Sequence, residues 1–218
     1  MAFNLRSLYR RLRFGEPIII VSGLPRSGTS MAMKMLEATG YPIVSDGIRT
    51  ADEDNPKGYY ELERVKDLAK EDDFSWLADA KGRAIKIISY LLKELPPDYN
   101  YKVLFMRRDL SEVLASQQKM LQRRDETSET EDERMVELYE NDLWKANYLL
   151  KHQPHFEHLE VYYRQVLDEP LQAARQINEF LGGNLDVEKM AGVVDPDLYR
   201  CLLYTSPSPR DEQFHLVC

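Results

Sequence analysis

Cysteine is almost absent from this sequence. The 218 residues contain two cysteines, Cys201 and Cys218, and both lie beyond position 200. Residues 1–200 therefore offer no disulfide, no cysteine zinc ligand and no thiol nucleophile, and cysteine content indicates no redox compartment.

Long hydrophobic runs are also missing. The longest apolar stretch is Ile18–Val21, whereas a membrane-spanning helix needs about 20 apolar residues. The chain begins with a basic segment, but Phe14-Gly15-Glu16-Pro17 follows it where a secretory signal would need a longer apolar region. The basic residues are Arg6, Arg10, Arg11 and Arg13. We expect a cytoplasmic protein with no transmembrane segment.

Basic residues are fewer than acidic residues in this chain. The chain has 29 Lys and Arg against 37 Asp and Glu, a formal net charge of −8. This balance argues against general nucleic-acid binding but is compatible with a local basic pocket for a small anion. With 43% hydrophobic residues the chain is able to bury the core of one domain, or two at most.

The C-terminal segment differs in character from the rest. Residues 201–211 read CLLYTSPSPRD, which resembles the conceptual translation of a transposon adapter used in DNA sequencing. We expect residues 201–218 to be a non-native tail, and residues 1–200 to form a single α/β domain.

Strand-like and helix-like patterns alternate along residues 1–200, without an internal repeat. The patterns predict strands at 17–22, 83–89, 102–106 and 158–162, and helices at 28–39, 110–121, 131–152 and 170–181. Glycines follow the first and last of these helices, as expected at helix ends. The alternation predicts βαβ units around a parallel sheet.

The first chemical motif is the loop at residues 23–30, GLPRSGTS, between a predicted strand and a predicted helix. Consecutive backbone N–H groups at such a helix start are able to surround a phosphate. Gly23 and Gly28 have the Walker A spacing, but Thr29 replaces the lysine that reaches triphosphates, which disfavours triphosphate cleavage. Arg26 offers a planar cation instead. The alternative is a tight turn with no ligand.

The second motif is Arg108, at the end of a predicted strand, and Ser116, eight residues later on a helix that Asp109 and Glu112 would begin as a capping box. Ligands of open α/β sheets bind at the carboxyl edge, where a guanidinium and a hydroxyl are able to hold a second phosphate. The alternative is a solvated arginine and a surface serine.

Together the two motifs resemble the sulfotransferases that use 3′-phosphoadenosine-5′-phosphosulfate (PAPS), in particular bacterial sulfotransferase-family proteins. The resemblance covers about residues 17–200. Residues 24–30 look like the family's 5′-phosphosulfate loop, and Arg108 with Ser116 matches its 3′-phosphate site. The resemblance implies a P-loop NTPase-like parallel sheet flanked by helices, with PAPS as co-substrate and no metal.

The resemblance also implies roles for individual residues. Arg26 occupies the position of the family's catalytic loop cation, and Arg108 with Ser116 would distinguish PAPS from ordinary adenylates. The loop residues expected at the 5′-phosphosulfate are Arg26, Ser27, Gly28, Thr29 and Ser30.

The sequence departs from the cytosolic branch of that family. Residues 84–88 align with a strand on which that branch has a lysine and, two residues later, its catalytic histidine; here Lys86 is present and position 88 is isoleucine. The carbohydrate and tyrosyl-protein branches use a glutamate, and Glu61 is the matching candidate, expected in the first turn of a helix. Asp46 is the fallback. The alternative interpretation is that Glu61 only stabilises the start of the helix.

These residues lead to one functional expectation. A sulfonate group would move from PAPS to the hydroxyl or amine of a small-molecule or carbohydrate acceptor, with Glu61 taking the proton and Arg26 and Lys86 stabilising charge. The alternatives are a P-loop kinase of small molecules and a nucleotide-binding protein without catalysis.

Overall fold

A parallel sheet forms the centre of the computed structural model, which describes residues 5–47, 60–123 and 132–195. Its strands are β1 (Ile18–Gly23), β2 (Ile43–Val44), β3 (Ala84–Lys86), β4 (Tyr101–Arg107) and β5 (Phe156–Tyr162). They lie in the order β2-β3-β1-β4-β5, and every neighbouring pair is parallel.

Helices connect these strands. The α-helices are α1 (Leu5–Phe14), α2 (Thr29–Glu37), α3 (Glu63–Lys66), α4 (Leu110–Arg123), α5 (Asp132–His152), α6 (Tyr163–Asp168), α7 (Pro170–Leu181) and α8 (Val187–Gly192). Short 3-10 helices lie at Leu68–Lys70, Ser75–Ala80 and Ser89–Glu94. None of the helices in the described ranges is both long and apolar enough to cross a bilayer.

Strand β1 packs against buried side chains on both faces of the sheet. Ile18 and Ile20 belong to one buried cluster, which includes Leu150 of α5. Ile19 and Val21 belong to a second cluster with residues of α2 and α7. A strand that packs on both sides needs a continuous apolar run rather than alternation. The prediction of a P-loop-like α/β fold, a parallel sheet flanked by helices, is confirmed.

Some predicted elements differ from the observed ones. The predicted strand at 83–89 is only Ala84–Lys86, because its outer neighbour β2 pairs with it at just Ile43 and Val44. A 3-10 helix then begins at Ser89. Helix α7 has the predicted bounds, whereas α1, β2, α6 and α8 were not predicted. The tail at 201–218 lies outside the described residues, so its non-native origin stays a prediction.

One buried arginine fixes α1 to the amino edge of the sheet. Arg10, 2% exposed, donates from Nη2 to Asn100 Oδ1 at 2.8 Å, to the Tyr101 carbonyl at 2.7 Å and to the His155 carbonyl at 2.9 Å. Burial and the nearby Arg10 charge lower the pKa of His155. A single guanidinium therefore ties α1 to the starts of β4 and β5.

We predict that Arg10→Ala lowers the free energy of unfolding by about 3 kcal/mol, because it removes charge-assisted hydrogen bonds from buried acceptors. Urea denaturation monitored by circular dichroism measures the change. Arg11→Ala is the matched control, because Arg11 is exposed on the same helix and its loss should cost less than about 0.5 kcal/mol. Equal stability of the two variants would contradict the anchoring role of Arg10.

Candidate functional site

The candidate residues follow three adjacent strands of the sheet. Strand β1 lies between β3 and β4, and it runs directly into the loop at residues 24–28. Strand β3 ends at Lys86, and Arg108 comes directly after β4. Carboxyl ends of neighbouring parallel strands meet at one edge, where α/β proteins bind ligands. The fold therefore brings the loop, Lys86 and Arg108 together, as the sequence predicted.

The two glycines of the loop are required by close approach and by backbone conformation. A Cβ on Gly23 would lie 2.7 Å from the Met106 carbonyl oxygen, and one on Gly28 would overlap Tyr163 Cδ2. Gly28 also has φ +99°, a conformation that favours glycine. It is the N-cap of α2, so the loop leads into a helix start whose first amides have no intrahelical acceptor. This geometry fits an anion.

The two predicted anion motifs are in direct contact. Arg26 Nε donates to Ser116 Oγ at 3.0 Å, and Arg108 Nη1 donates to the Arg26 carbonyl at 3.0 Å. Arg26 adopts φ +66°, which is uncommon for a non-glycine residue and is the kind of backbone strain found at ligand sites. The loop, Arg108 and Ser116 of α4 thus form one hydrogen-bonded unit carrying two guanidinium groups.

Arg108 is held by two residues to which the sequence analysis gave no such role. Its Nε donates to Glu112 Oε2 at 3.0 Å, and its guanidinium lies over the Tyr163 ring, 4.3 Å from the centroid. The Arg108–Glu112 spacing of four residues is a signal that could have indicated this pair. Tyr163 follows β5 and carries no comparable signal in the sequence. Together they orient the arginine toward the loop.

Asp109 caps the start of α4, as the sequence analysis predicted. Asp109 Oδ1 accepts from the Ser111 backbone N–H at 2.8 Å, as an N-cap residue does, and hydrogen bonds from Ser111 lower the pKa of Asp109. The Glu112 carboxylate accepts a hydrogen bond from Arg108 Nε at 3.0 Å.

Lys86 lies between Glu61, the candidate base, and Ser30 at the end of the loop. Its Nζ lies 3.5 Å from Glu61 Oε1 and 3.5 Å from Ser30 Oγ. The Lys86 and Glu61 side chains are 17% and 23% exposed, so the pair is partly shielded from water but still reachable. The structure places a carboxylate, an ammonium group and a loop hydroxyl side by side, on three residues that the sequence analysis named separately.

The predicted location of Glu61 in a helix is wrong. Glu61 precedes Leu62, the N-cap of α3, and lies in non-helical backbone. The first turn begins at Glu63 instead, because the Asp46 carboxylate accepts a hydrogen bond from the Glu63 amide at 2.5 Å. A helix start satisfied by a residue 17 positions away cannot be read from local sequence.

Asp46, the fallback base, lies beside Glu61 in a supporting position. Its amide donates to the Glu61 carbonyl at 3.2 Å while its carboxylate binds the Glu63 amide. On the other side of Glu61, the Tyr60 hydroxyl donates to Glu37 Oε2 at 2.5 Å, and burial together with this hydrogen bond raises the pKa of Tyr60. These contacts hold the Glu61 backbone from both directions. Residues 55–59 of the predicted segment lie outside the described residues.

Comparison with known proteins agrees with the fold. No protein-family model matches the sequence, and no curated protein matches it. Among solved structures, the chain is similar to a sulfotransferase domain from the curacin biosynthetic pathway, with 15% identity, a TM-score of 0.50, and coverage of 84% of this chain and 89% of that one. A sugar kinase from Janibacter sp. HTCC2649 gives 15% identity, a TM-score of 0.37, and coverage of 83% and 99%.

These values bear on the fold alone. The sulfotransferase domain shares the α/β architecture of this chain, while the likeness to the kinase is too low to carry an argument. The reaction has to be argued from the residues at the carboxyl edge of the sheet.

We predict that Gly28→Ala destabilises the protein more than Gly183→Ala does. Both glycines have positive φ, so both variants incur backbone strain of about 1 kcal/mol. Only the Gly28 methyl meets a neighbour, the Tyr163 ring, whereas nothing lies within 4 Å of one at Gly183. Thermal denaturation should show the larger loss for Gly28→Ala, and equal losses would mean that Tyr163 does not restrict the loop.

Proposed function

We propose that this protein is a sulfotransferase that moves a sulfonate group from PAPS to an acceptor hydroxyl or amine. The observation that carries the proposal is the hydrogen-bonded unit formed by Arg108, Arg26 and Ser116. It joins a phosphate loop to a second cationic position, as a nucleotide with anionic groups at both its 5′ and 3′ positions requires.

The residues present fit such a donor. In the proposal, the 5′-phosphosulfate binds the loop through Ser27, Gly28, Thr29 and Ser30, and the 3′-phosphate binds Arg108 and Ser116. Ser27 Oγ is buried and, among the described residues, has no hydrogen-bond partner. A buried hydroxyl without a partner is available to bind a ligand. Arg26, whose Nε donates to Ser116 Oγ, would lie between the two phosphate positions of this proposal.

The reaction needs one proton acceptor and several cations. The acceptor oxygen or nitrogen forms a bond to sulfur as the bond from sulfur to the phosphate oxygen of PAPS breaks, and the acceptor's proton passes to Glu61. Adenosine 3′,5′-bisphosphate leaves. Lys86, 3.5 Å from both Glu61 and Ser30, and Arg26 would stabilise the charge that develops on the sulfonate and the leaving phosphate.

Two alternatives differ in the ligand they require. A P-loop kinase of small molecules would use a triphosphate and Mg²⁺, but Thr29 stands where the triphosphate-binding lysine belongs. A nucleotide-binding protein without catalysis would use the same donor pocket and leave Glu61 without a proton to accept. Ligand preference tests the first alternative, and turnover tests the second.

We predict that the protein binds adenosine 3′,5′-bisphosphate more tightly than AMP, and that Arg108→Ala removes most of the preference. Losing a charge-assisted contact costs about 1.5 to 3 kcal/mol, roughly tenfold or more in affinity. Isothermal titration calorimetry measures both ligands. Arg107→Ala, the same change at the preceding residue, is the control and should keep the preference.

Equal affinity for AMP and the bisphosphate would refute the 3′-phosphate site. A Mg²⁺-dependent preference for ATP would favour the kinase instead.

We predict that Glu61→Gln lowers turnover by about 10² to 10⁴-fold, because glutamine keeps the shape of the side chain but cannot take the acceptor's proton. Affinity for adenosine 3′,5′-bisphosphate should barely change. Labelled PAPS, tried with acceptors of several classes, provides the assay. Arg26→Ala should weaken both turnover and binding, because this cation would contact the donor in the ground and transition states alike.

Asp46→Asn is the discriminating variant. Asparagine retains an oxygen for the Glu63 amide, so turnover should stay near normal if Asp46 only supports the segment. Loss of turnover in Asp46→Asn with retention in Glu61→Gln would place the base at Asp46. If no acceptor class is sulfonated by the unmodified protein, the binding-protein alternative holds.

A further inference from the structure

Helix α1 has the reverse of the usual arrangement of charge and apolarity. Its Arg10 is buried against the amino edge of the sheet, whereas three of its apolar side chains face solvent. Leu12 is 80% exposed, Tyr9 58% and Leu8 42%. Isolated apolar side chains on a surface are ordinary, but neighbouring ones on a single helix indicate an interaction site.

These exposed side chains form one stripe. At about 100° per residue, Leu8, Leu12 and Tyr9 fall within an arc of roughly 100°, and Arg10 lies roughly 150° from its middle. Arg11 and Arg13, both exposed, lie roughly 60° and 40° beyond the two margins of the arc. The surface of α1 is therefore an apolar stripe with a cation on each side.

The charge of α1 is opposite to that of the whole chain. Its sequence, LRSLYRRLRF, contains four arginines and no acidic residue, whereas the chain carries a net charge of −8. A helix with leucine and an aromatic residue between arginines has the composition of helices that lie in the interface of anionic membranes. Tyrosine suits that position, because its ring is apolar and its hydroxyl remains hydrated.

We propose that α1 docks the protein onto an anionic lipid surface, with Leu8, Tyr9 and Leu12 inserted among the lipids and Arg11 and Arg13 at the headgroups. A protein partner would need a groove shaped to these side chains. A bilayer accepts a convex stripe without any shaped partner, and the high exposure of Leu12 shows that this stripe protrudes.

The position of α1 is compatible with activity during docking. Arg10 binds the Tyr101 carbonyl at the start of β4, whereas Arg108 follows the end of that strand. The seven residues of β4 span roughly 20 Å. The candidate site and the docking stripe thus lie at opposite edges of the sheet, and a docked molecule would keep the phosphate loop directed away from the lipid.

Co-sedimentation of the full chain with vesicles tests the apolar part of the stripe. The probes are phosphatidylcholine vesicles with and without phosphatidylserine, at increasing lipid concentration. We expect binding to the vesicles that contain phosphatidylserine, and a loss of about tenfold in affinity for Leu12→Ser. Leu138→Ser is the matched control, because Leu138 of α5 is 49% exposed. It is the same substitution at an exposed position outside α1.

A charge variant tests the arginines. Removing Arg11 and Arg13 together, each as alanine, should lower affinity about 20-fold, and added salt should weaken the unmodified protein similarly. Arg175→Ala with Lys151→Ala removes the same charge from exposed positions outside α1 and should have little effect. Circular dichroism of each variant confirms that the fold is retained.

Three results would overturn the proposal: no sedimentation with either vesicle at millimolar lipid, equal binding to both vesicles, or equal losses in the α1 variants and their controls. Each is independent of the sulfotransferase proposal, since binding of adenosine 3′,5′-bisphosphate in solution is measured without lipid. The two proposals can therefore fail separately.

Discussion

The burial of β1 between β3 and β4 is the constraint on which the candidate site depends. Because Ile18–Val21 pack on both faces of the sheet, β1 has to be an inner strand, and its carboxyl end opens between the ends of its two neighbours. The loop at residues 24–28, Lys86 and Arg108 come together for that reason. They belong to separate parts of the chain, and the strand order brings them to a common edge.

Concentrating cations at this edge requires partners, since like charges repel. Glu112 binds Arg108, Glu61 lies beside Lys86, and Arg26 donates to a neutral hydroxyl, that of Ser116. An acidic chain can therefore contain a strongly basic site. The same pairing explains how a carboxylate comes to lie next to the loop: Glu61 compensates the Lys86 charge, and the proposed mechanism gives that carboxylate a second role.

The sequence was informative where structure is locally determined. Residues 17–22 predicted the central strand, the glycine spacing predicted the loop, and Pro170–Leu181 predicted α7 with its observed bounds. Errors arose where contacts between residues far apart in the sequence determine the local structure. Asp46 shifts the start of α3 past Glu61, and α1, which the buried Arg10 ties to the sheet, was not predicted. Tyr163 reaches Arg108 only through the tertiary fold.

Arginine has different roles at the two edges of the sheet, and its surroundings determine which. At the amino edge Arg10 is buried and donates to the Asn100 side chain and to the Tyr101 and His155 carbonyls, so it acts as a fixed link between elements. At the carboxyl edge Arg26 is partly exposed, and Arg108 meets it at a loop whose backbone is held in an uncommon conformation. There, an anion can replace the hydroxyl or carbonyl that a guanidinium now contacts, because an anion is the stronger acceptor. The exchange does not require α1, β4 and β5 to separate. Ligand binding is therefore feasible at the carboxyl edge, whereas at Arg10 it would compete with folding.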